Sequence, residues 1–430
     1  MRLVSTKDRG FEDALCELLS RGTTIEKDVE DSVEAILRDV KERGDLAIVE
    51  YTRRFDGVDI RGKIEVKKRE FNRALKELSK DDVRVIEKTV ERVYQFHSRQ
   101  RLDSWFMTDE YGNLLGQRVT PIERAGIYVP GGKARYPSTV IMNGVPAKVA
   151  GVSELFMTTP PAEDGTIEPW VLVAAQVVGV DRVFRTGGVQ AIAGLAYGTE
   201  TIPKVDKIVG PGNIYVATAK KKVYGTVDID MIAGPSEVLV INDGTGNARW
   251  MAMDLLSQAE HDELASAILI TTSERMARRV IREVRTLLKG LERRDIAESS
   301  IKNYGLAIVV ESLEEAVELS NRIAPEHLEL FVEKPMALLG RIKNAGSIFL
   351  GKHTPEAFGD YVAGPNHTLP TGSTARFFSP LGVYDFLKFS GITLITPEGF
   401  NALAPLTERL ARAEGLEAHR LSVAIRREEK

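Results

Sequence analysis

Between positions 126 and 241 five short apolar runs, GIYVP (126–130), ELFMTT (154–159), RVFRT (182–186), KIVG (207–210) and EVLVI (237–241), alternate with stretches of helical periodicity. Glycine-rich turns follow several of them. Runs of this length, separated by helix-length segments, predict buried strands of a parallel sheet joined by helical crossovers. The rhythm resumes downstream with a helix over 248–262, SAILITT (266–272), a basic amphipathic helix, LAIVV (306–310), a helix over 312–323, HLELFV (327–332) and SIFL (347–350). The expected fold class is α/β, with two doubly wound parallel-sheet domains.

Outward from this region the texture differs. Residues 1 to about 120 are charge-rich and helical in period; Phe11, Leu15, Leu18 and Leu19 fall on one face, with Gly22 placed to end the run. After Pro380 the chain reads as a helical tail, in which Leu406 and Leu410 share a face and Gly415 stops the helix. The division expected is a helical N-terminal segment, residues 1–129, joined with 239–380 as a first α/β domain, an inserted second α/β domain at 130–238, and a C-terminal tail at 381–430. Such a tail is too small to fold alone and must dock on its own chain or on a partner subunit.

The chain has 430 residues, 43% of them hydrophobic and 28% charged, the composition of a globular protein large enough for two or three cores. Its 58 Lys+Arg against 62 Asp+Glu leave a net charge of -4, which gives no footprint for nucleic acid or anionic lipid. Charges in MRLVSTKDRGFEDAL stand where a secretory signal needs an apolar run, and no stretch approaches the roughly 18 apolar residues of a membrane helix. A cytoplasmic location is expected. The single Cys16 excludes an intrachain disulfide framework and Cys-based zinc sites. Neutral-pH acid–base chemistry must choose among six histidines.

Three glycine-rich loops, YVPGGKA (128–134), RTGGVQAIAG (185–194) and VGPGNIYVA (209–217), each follow a strand-like run and precede a helix. Their backbone N–H groups could approach a phosphate, or the glycines could merely close turns, since no G-x-G-x-x-G is present. Gly346-SIFL-Gly351-Lys352 has P-loop spacing but His353 where Ser or Thr is required, and an apolar strand where the phosphate cradle belongs. Tyr215 and Lys220, five apart, do not form the Tyr-x-x-x-Lys pair of short-chain dehydrogenases.

In LLSQAEHDE (255–263), Asn242-Asp243 could cap a helix beginning near Ala248 whose buried side is Trp250, Met251, Leu255 and Leu256. Gln258 and His261 then stand at i and i+3, able to share a divalent metal, with Asp254 one turn before. Two ligands are not a site, and a lone helix His is more often surface or core. The adjacent Glu326 and His327, between a helix and a strand, could supply a base for water and a proton shuttle for an alcohol, or could be a solvated loop. GDYVAGPNHTLPTG (359–372) adds Asp360 and His367 in a long polar loop, with His353 upstream; His353 and His367 have no assigned role. His97 reads as structural or exposed. Glu414 and His419 bracket Gly415, and a break there could turn both toward one pocket.

Taken as a set, YVPGG, TGGVQAIAGLAYGT, KIVGPGN, DMIAGPSEVLVI, LLSQAEHD, APEHLEL, GDYVAGPNHTLPTG and EGLEAHR, in this order through nearly the whole chain, resemble the histidinol dehydrogenase family. That resemblance implies oxidation of L-histidinol to L-histidine through bound L-histidinaldehyde with two NAD, in two incomplete Rossmann-like domains. It implies one zinc ion per subunit held by Gln258, His261, Asp360 and His419, and a catalytic pair Glu326 and His327. Ser236 and Glu414 match substrate contacts, beside the zinc ligands and His327, while Tyr128, Gln190 and Asn213 match positions lining the NAD site. A homodimer whose tail reaches the neighbour's site is implied as well. Two nitrogen and two oxygen ligands suit zinc, and the acidic Glu326, Asp360 and Glu414 suit a cationic amino alcohol. A dehydrogenase of the same fold acting on another amino alcohol, and a non-enzymatic metal- or nucleotide-binding protein, remain alternatives to be separated by assay.

Overall fold

Every residue of EVLVIN (237–242) and SAILIT (266–271) is buried, as strands covered by helices on both faces require. The structure, a computed structural model, describes residues 1–20, 27–131, 136–232 and 234–428. Its strands in chain order are β1 (Arg2–Ser5), β2 (Trp105–Thr108), β3 (Leu114–Pro121), β4 (Arg124–Tyr128), β5 (Glu154–Thr159), β6 (Arg182–Arg185), β7 (Lys207–Val209), β8 (Asp228–Ile229), β9 (Glu237–Asn242), β10 (Ser266–Thr271), β11 (Gly305–Val309), β12 (His327–Phe331), β13 (Ser347–Leu350) and β14 (Leu387–Leu394). Two units result: Met1–Gln100 with Glu123–Phe386, and Arg101–Ile122 with Leu387–Lys430.

The first unit holds the two parallel sheets that the alternating pattern predicts. One is five-stranded in the order β6-β5-β4-β7-β8, the other six-stranded in the order β1-β11-β10-β9-β12-β13. Each is doubly wound: the chain steps outward from β4 through β5 to β6, then returns to β7 on the other side, and it does the same from β9 through β11 before returning to β12. In sequence, only a short connection separates the carboxyl end of β8 from the amino end of β9. The carboxyl edge of one sheet is thereby joined to the amino edge of the other.

Boundaries differ from those expected. β4 belongs to the five-stranded sheet, so Tyr128 lies inside that domain rather than before it. The helices Lys27–Arg43 and Asp45–Asp56 clad this sheet too, packing on the helices Gly188–Tyr197 and Ile214–Val223. Val33, Leu37 and Ile48 share a core with Phe184, Ile192 and Leu195. Among the described N-terminal residues, β1 and the helix Phe11–Leu19 join the six-stranded sheet, where Phe11, Leu15 and Leu18 pack with Ile268 and Ile308. An amphipathic stripe specifies burial but not which sheet covers it. Gly22 lies outside the described residues.

In the second unit β14, β3 and β2 form an antiparallel sheet, followed by the helices Pro397–Ala413 and Glu417–Glu428. The tail is therefore not wholly helical. LKFSGITL (387–394) is half-buried or exposed throughout and carries no clean period-two signal, and its partner Leu114–Pro121 is supplied from far upstream. Gly415, at φ 74, separates the two tail helices as expected.

Candidate active site

The amino edge of the six-stranded sheet gathers the acid–base residues. His327 opens β12 in register with Val238 of β9 and Ser347 of β13, and Glu326 precedes it. This is the edge opposite to the one where open α/β sheets usually bind ligands. The helix Ala248–Ala259 leaves the far end of β9 and runs back, so its last turn brings Gln258 to the same edge. His261 lies just beyond the helix, its N–H donating to the Gln258 carbonyl at 3.1 Å. The cap is Asn247, whose side chain accepts from Arg249 N, and not Asn242-Asp243. Asn242 instead donates to the carbonyls of Thr245 and Phe331, tying the far ends of β9 and β12 together. Trp250 is 43% exposed rather than buried, its ring beside that of His353 at 5.5 Å.

Distances within the cluster assign donors. His327 Nδ1 is 3.0 Å from the Glu237 carbonyl, which can only accept, and Nε2 is 3.4 Å from Asp360 Oδ1, so both ring nitrogens face acceptors, the arrangement of an imidazolium. Glu326 Oε2 accepts from Glu237 N at 2.8 Å and has the Gln258 amide nitrogen at 3.4 Å. Burial pushes the Glu326 carboxyl up to about 7 against the charge of His327. Burial also opposes charge on His327, but Glu326, Asp360 and Glu356 outweigh it and raise its pKa well above the ordinary value. Asp360, despite burial, is held below the usual range by its contact with His327. The His261 edge is exposed, yet enough protein surrounds the ring for desolvation to lower its pKa. Ser236, half-buried, immediately precedes Glu237 at this edge.

Two further acids, Glu356 and Glu329, join Asp254 in this neighbourhood, and neither stands among the candidate residues above. Glu356 is 2% exposed, accepts from the Ser257 hydroxyl at 2.7 Å and lies 3.9 Å from His327 Nδ1. Burial raises it to about 8. Glu329 accepts from Glu356 N at 2.8 Å, and burial raises Asp254, beside it, to about 6. The available signal was Glu329 itself, a charge in the middle of the apolar HLELFV.

The residues present fit a bound cation. Gln258 Oε1 is buried with no hydrogen-bond partner among the described residues, an oxygen whose desolvation is uncompensated by protein. With the His261 imidazole and the Asp360 carboxylate it forms a mixed N/O donor set of the kind zinc accepts. Among the described residues no three His, Cys, Asp or Glu side chains form a metal cluster; the Gln258 donor is an amide, and His419 is a residue of the second unit. His419 and Glu414 are both exposed there, on either side of Gly415. His367 is half-buried, and its Nε2 has no hydrogen-bond partner among the described residues. His97 is fully buried and bonded to Gln100 at 2.8 Å, and His353 stands against Trp250, outside the cluster.

Tyr128, Gln190 and Asn213 lie at the carboxyl edge of the five-stranded sheet, around the β4/β7 pair where strand order reverses. In doubly wound sheets such a reversal at the carboxyl edge is where nucleotides bind. Tyr128, at the end of β4, is buried and accepts from Gly188 N at 3.2 Å. Gln190 is 1% exposed, and its Oε1 has no partner among the described residues. Exposed Asn213 caps the helix Ile214–Val223 through Val216 N. At φ 119, Gly210 brings the β7 loop so close that a Cβ there would stand 2.1 Å from the Tyr128 carbonyl oxygen, so this glycine does more than close a turn. Gly132, Lys133 and Ala134 of the first loop lie outside the described residues.

Comparison with known proteins agrees with this geometry. The family model for histidinol dehydrogenase matches residues 19–427. Histidinol dehydrogenases of Syntrophotalea carbinolica and Geobacter sulfurreducens are 55% and 56% identical over 99% of this chain, covering 99% and 100% of those proteins. The crystal structure of histidinol dehydrogenase from Elizabethkingia anophelis matches at a TM-score of 0.94 and 37% identity, covering 100% of this chain and 98% of that one. A family match over almost all of the chain, with the same fold and an acid–base cluster at the sheet edge, establishes that the chain belongs to the histidinol dehydrogenase family.

Proposed function

We propose that this protein oxidises L-histidinol to L-histidine through bound L-histidinaldehyde, with two NAD and one zinc ion per subunit. The observation that carries the reading is the buried Glu326–His327 pair facing Asp360, beside a Gln258 oxygen that lacks a protein partner among the described residues. Gln258, His261, Asp360 and His419 hold the zinc; Ser236, Glu414 and the residues of the acidic edge hold the substrate; Tyr128, Gln190 and Asn213 line the nucleotide. When bound, zinc supplies a Lewis acid that orients the amino alcohol and NAD supplies the hydride acceptor.

The chain's own groups do the rest. His327 keeps its Nδ1–H on the Glu237 carbonyl; with Asp360 engaged by the zinc it would hold, Nε2 is free to take the alcohol proton, and the surrounding carboxylates stabilise the imidazolium that results. For the second oxidation Glu326 takes a proton from water as its oxygen adds to the aldehyde, His327 returns the proton it holds to the aldehyde oxygen to complete the hydrate, and the neutral imidazole then takes a hydrate proton as the second hydride leaves to a fresh NAD. A thiohemiacetal has no support: the described neighbours of His327 include no thiol, and Cys16 is exposed on the helix Phe11–Leu19.

A homodimer fits the second unit, whose tail helices expose Leu406, Leu410 and Ile425; the tail, with Glu414 and His419, would complete the neighbour's site. No helix among the described residues is long and apolar enough to cross a membrane, and a cytoplasmic location accords with one unpaired thiol.

Treating the protein with a strong chelator should remove zinc and reduce histidinol turnover by at least about a hundredfold, with recovery on adding zinc. Metal analysis of His261→Asn should find less than stoichiometric zinc. Full activity in metal-free protein would overturn the zinc assignment.

A further inference from the structure

The nucleotide edge carries one acid that the proposed mechanism leaves idle. Asp56 is the last residue of the helix Asp45–Asp56, and Gly57 follows in the left-handed conformation. A carboxylate there faces the negative end of the helix dipole, an unfavourable place for an anion. Its Oδ2 is buried and has no hydrogen-bond partner among the described residues. Burial alone pushes the carboxyl up to about 6, with no cation opposing it. A buried, unpaired oxygen at the wrong end of a helix lowers stability, and packing offers no compensation for it.

Its position is fixed by neighbours. Thr52, one turn earlier, has its hydroxyl 3.1 Å from that of Thr186, at the end of β6 and immediately before Gly187 and Gly188. Gly188 donates to the Tyr128 hydroxyl, which also feels the charge of Asp56. The chain beyond the helix stays on the same edge, since Ile64 O accepts from Arg185 N at 2.8 Å. Asp56 thus stands at the edge where Tyr128 ends β4, close enough for its charge to act on the Tyr128 hydroxyl.

In doubly wound nucleotide sites an acid at the end of the second strand accepts the ribose hydroxyls. The second strand here is β5, and it ends Thr158-Thr159-Pro160, with no acid. We infer that Asp56, delivered from the N-terminal helices in place of a β5 acid, accepts the vicinal hydroxyls of the ribose that carries the extra phosphate in NADP, and so selects NAD over NADP. A 2′-phosphate would meet a half-buried carboxylate, and the nearby Arg185 is committed to Glu70 and the Lys63 carbonyl. This inference rests on the NAD reading above.

Binding of NAD and of NADP to the zinc-loaded full chain without histidinol tests it, by calorimetric titration of the unaltered protein, Asp56→Asn and Asp56→Ala, with thermal melts alongside. The unaltered protein should bind NAD at least about tenfold tighter than NADP. Both variants should melt no lower than the unaltered protein, lose about tenfold in NAD affinity and show a preference below about threefold. A folded variant that keeps the original NAD-to-NADP ratio overturns the inference and leaves the NAD reading standing. If both variants unfold, Asp56 is structural and the inference falls. If the unaltered protein binds neither nucleotide, the NAD reading itself is refuted.

Discussion

Glu326→Gln should lower turnover of histidinaldehyde by about 10²–10⁴-fold, equivalent to about 3–5 kcal/mol of barrier, while the first oxidation loses much less. Glutamine keeps the shape and can still accept from Glu237 N, the contact that holds the side chain at 2.8 Å, so the fold should survive. What it removes is a carboxylate that burial has brought to about 7, where it can take a proton from water near neutral pH. Single-turnover measurements with histidinaldehyde, and separately with histidinol, distinguish the steps. Equal losses in both would mean that Glu326 acts through His327 and not on water, and unchanged aldehyde turnover would remove it from the mechanism.

Lys220→Met should lower stability by about 3–5 kcal/mol. The Lys220 and Asp230 side chains are 3% and 1% exposed and bonded to each other. Lys220 also donates to the Gly210 carbonyl at 2.9 Å, and Asp230 accepts from the backbone of Gly210 and Met231. The pair locks the glycine loop after β7 to the start of the connection between the two sheets, so loss of the ammonium leaves a buried carboxylate unpaired beside both. Denaturant unfolding of the single variant and of Lys220→Met/Asp230→Asn reads the effect. The double variant should recover part of the loss, because its amide carries no unpaired charge. A single-variant cost below about 1 kcal/mol would show that the pair holds nothing together.

The parallel sheets were legible because their central strands are apolar at every position, a signal that depends on no distant partner. Gln258 and His261 were legible for a related reason: helical period places i and i+3 together whatever the tertiary fold, and the helix ends between them without separating them. Partners chosen by tertiary structure were not. β14 pairs with β3 from far upstream, the N-terminal helices chose the five-stranded sheet, and Trp250 turned out toward His353 although its spacing suited a core. Glu356 is invisible to local reading because its meaning comes from Ser257 and His327, on other elements. The amino-edge location of Glu326–His327 was legible too, since the pair stands between a helix and the strand that His327 opens.

The most direct test of the proposed reaction is a mass balance on limiting L-histidinol with excess NAD and the zinc-loaded enzyme. Two NADH and one L-histidine per histidinol, with no aldehyde released to a trapping amine, is the predicted result. One NADH per histidinol with free histidinaldehyde, or no NADH at all, would contradict it.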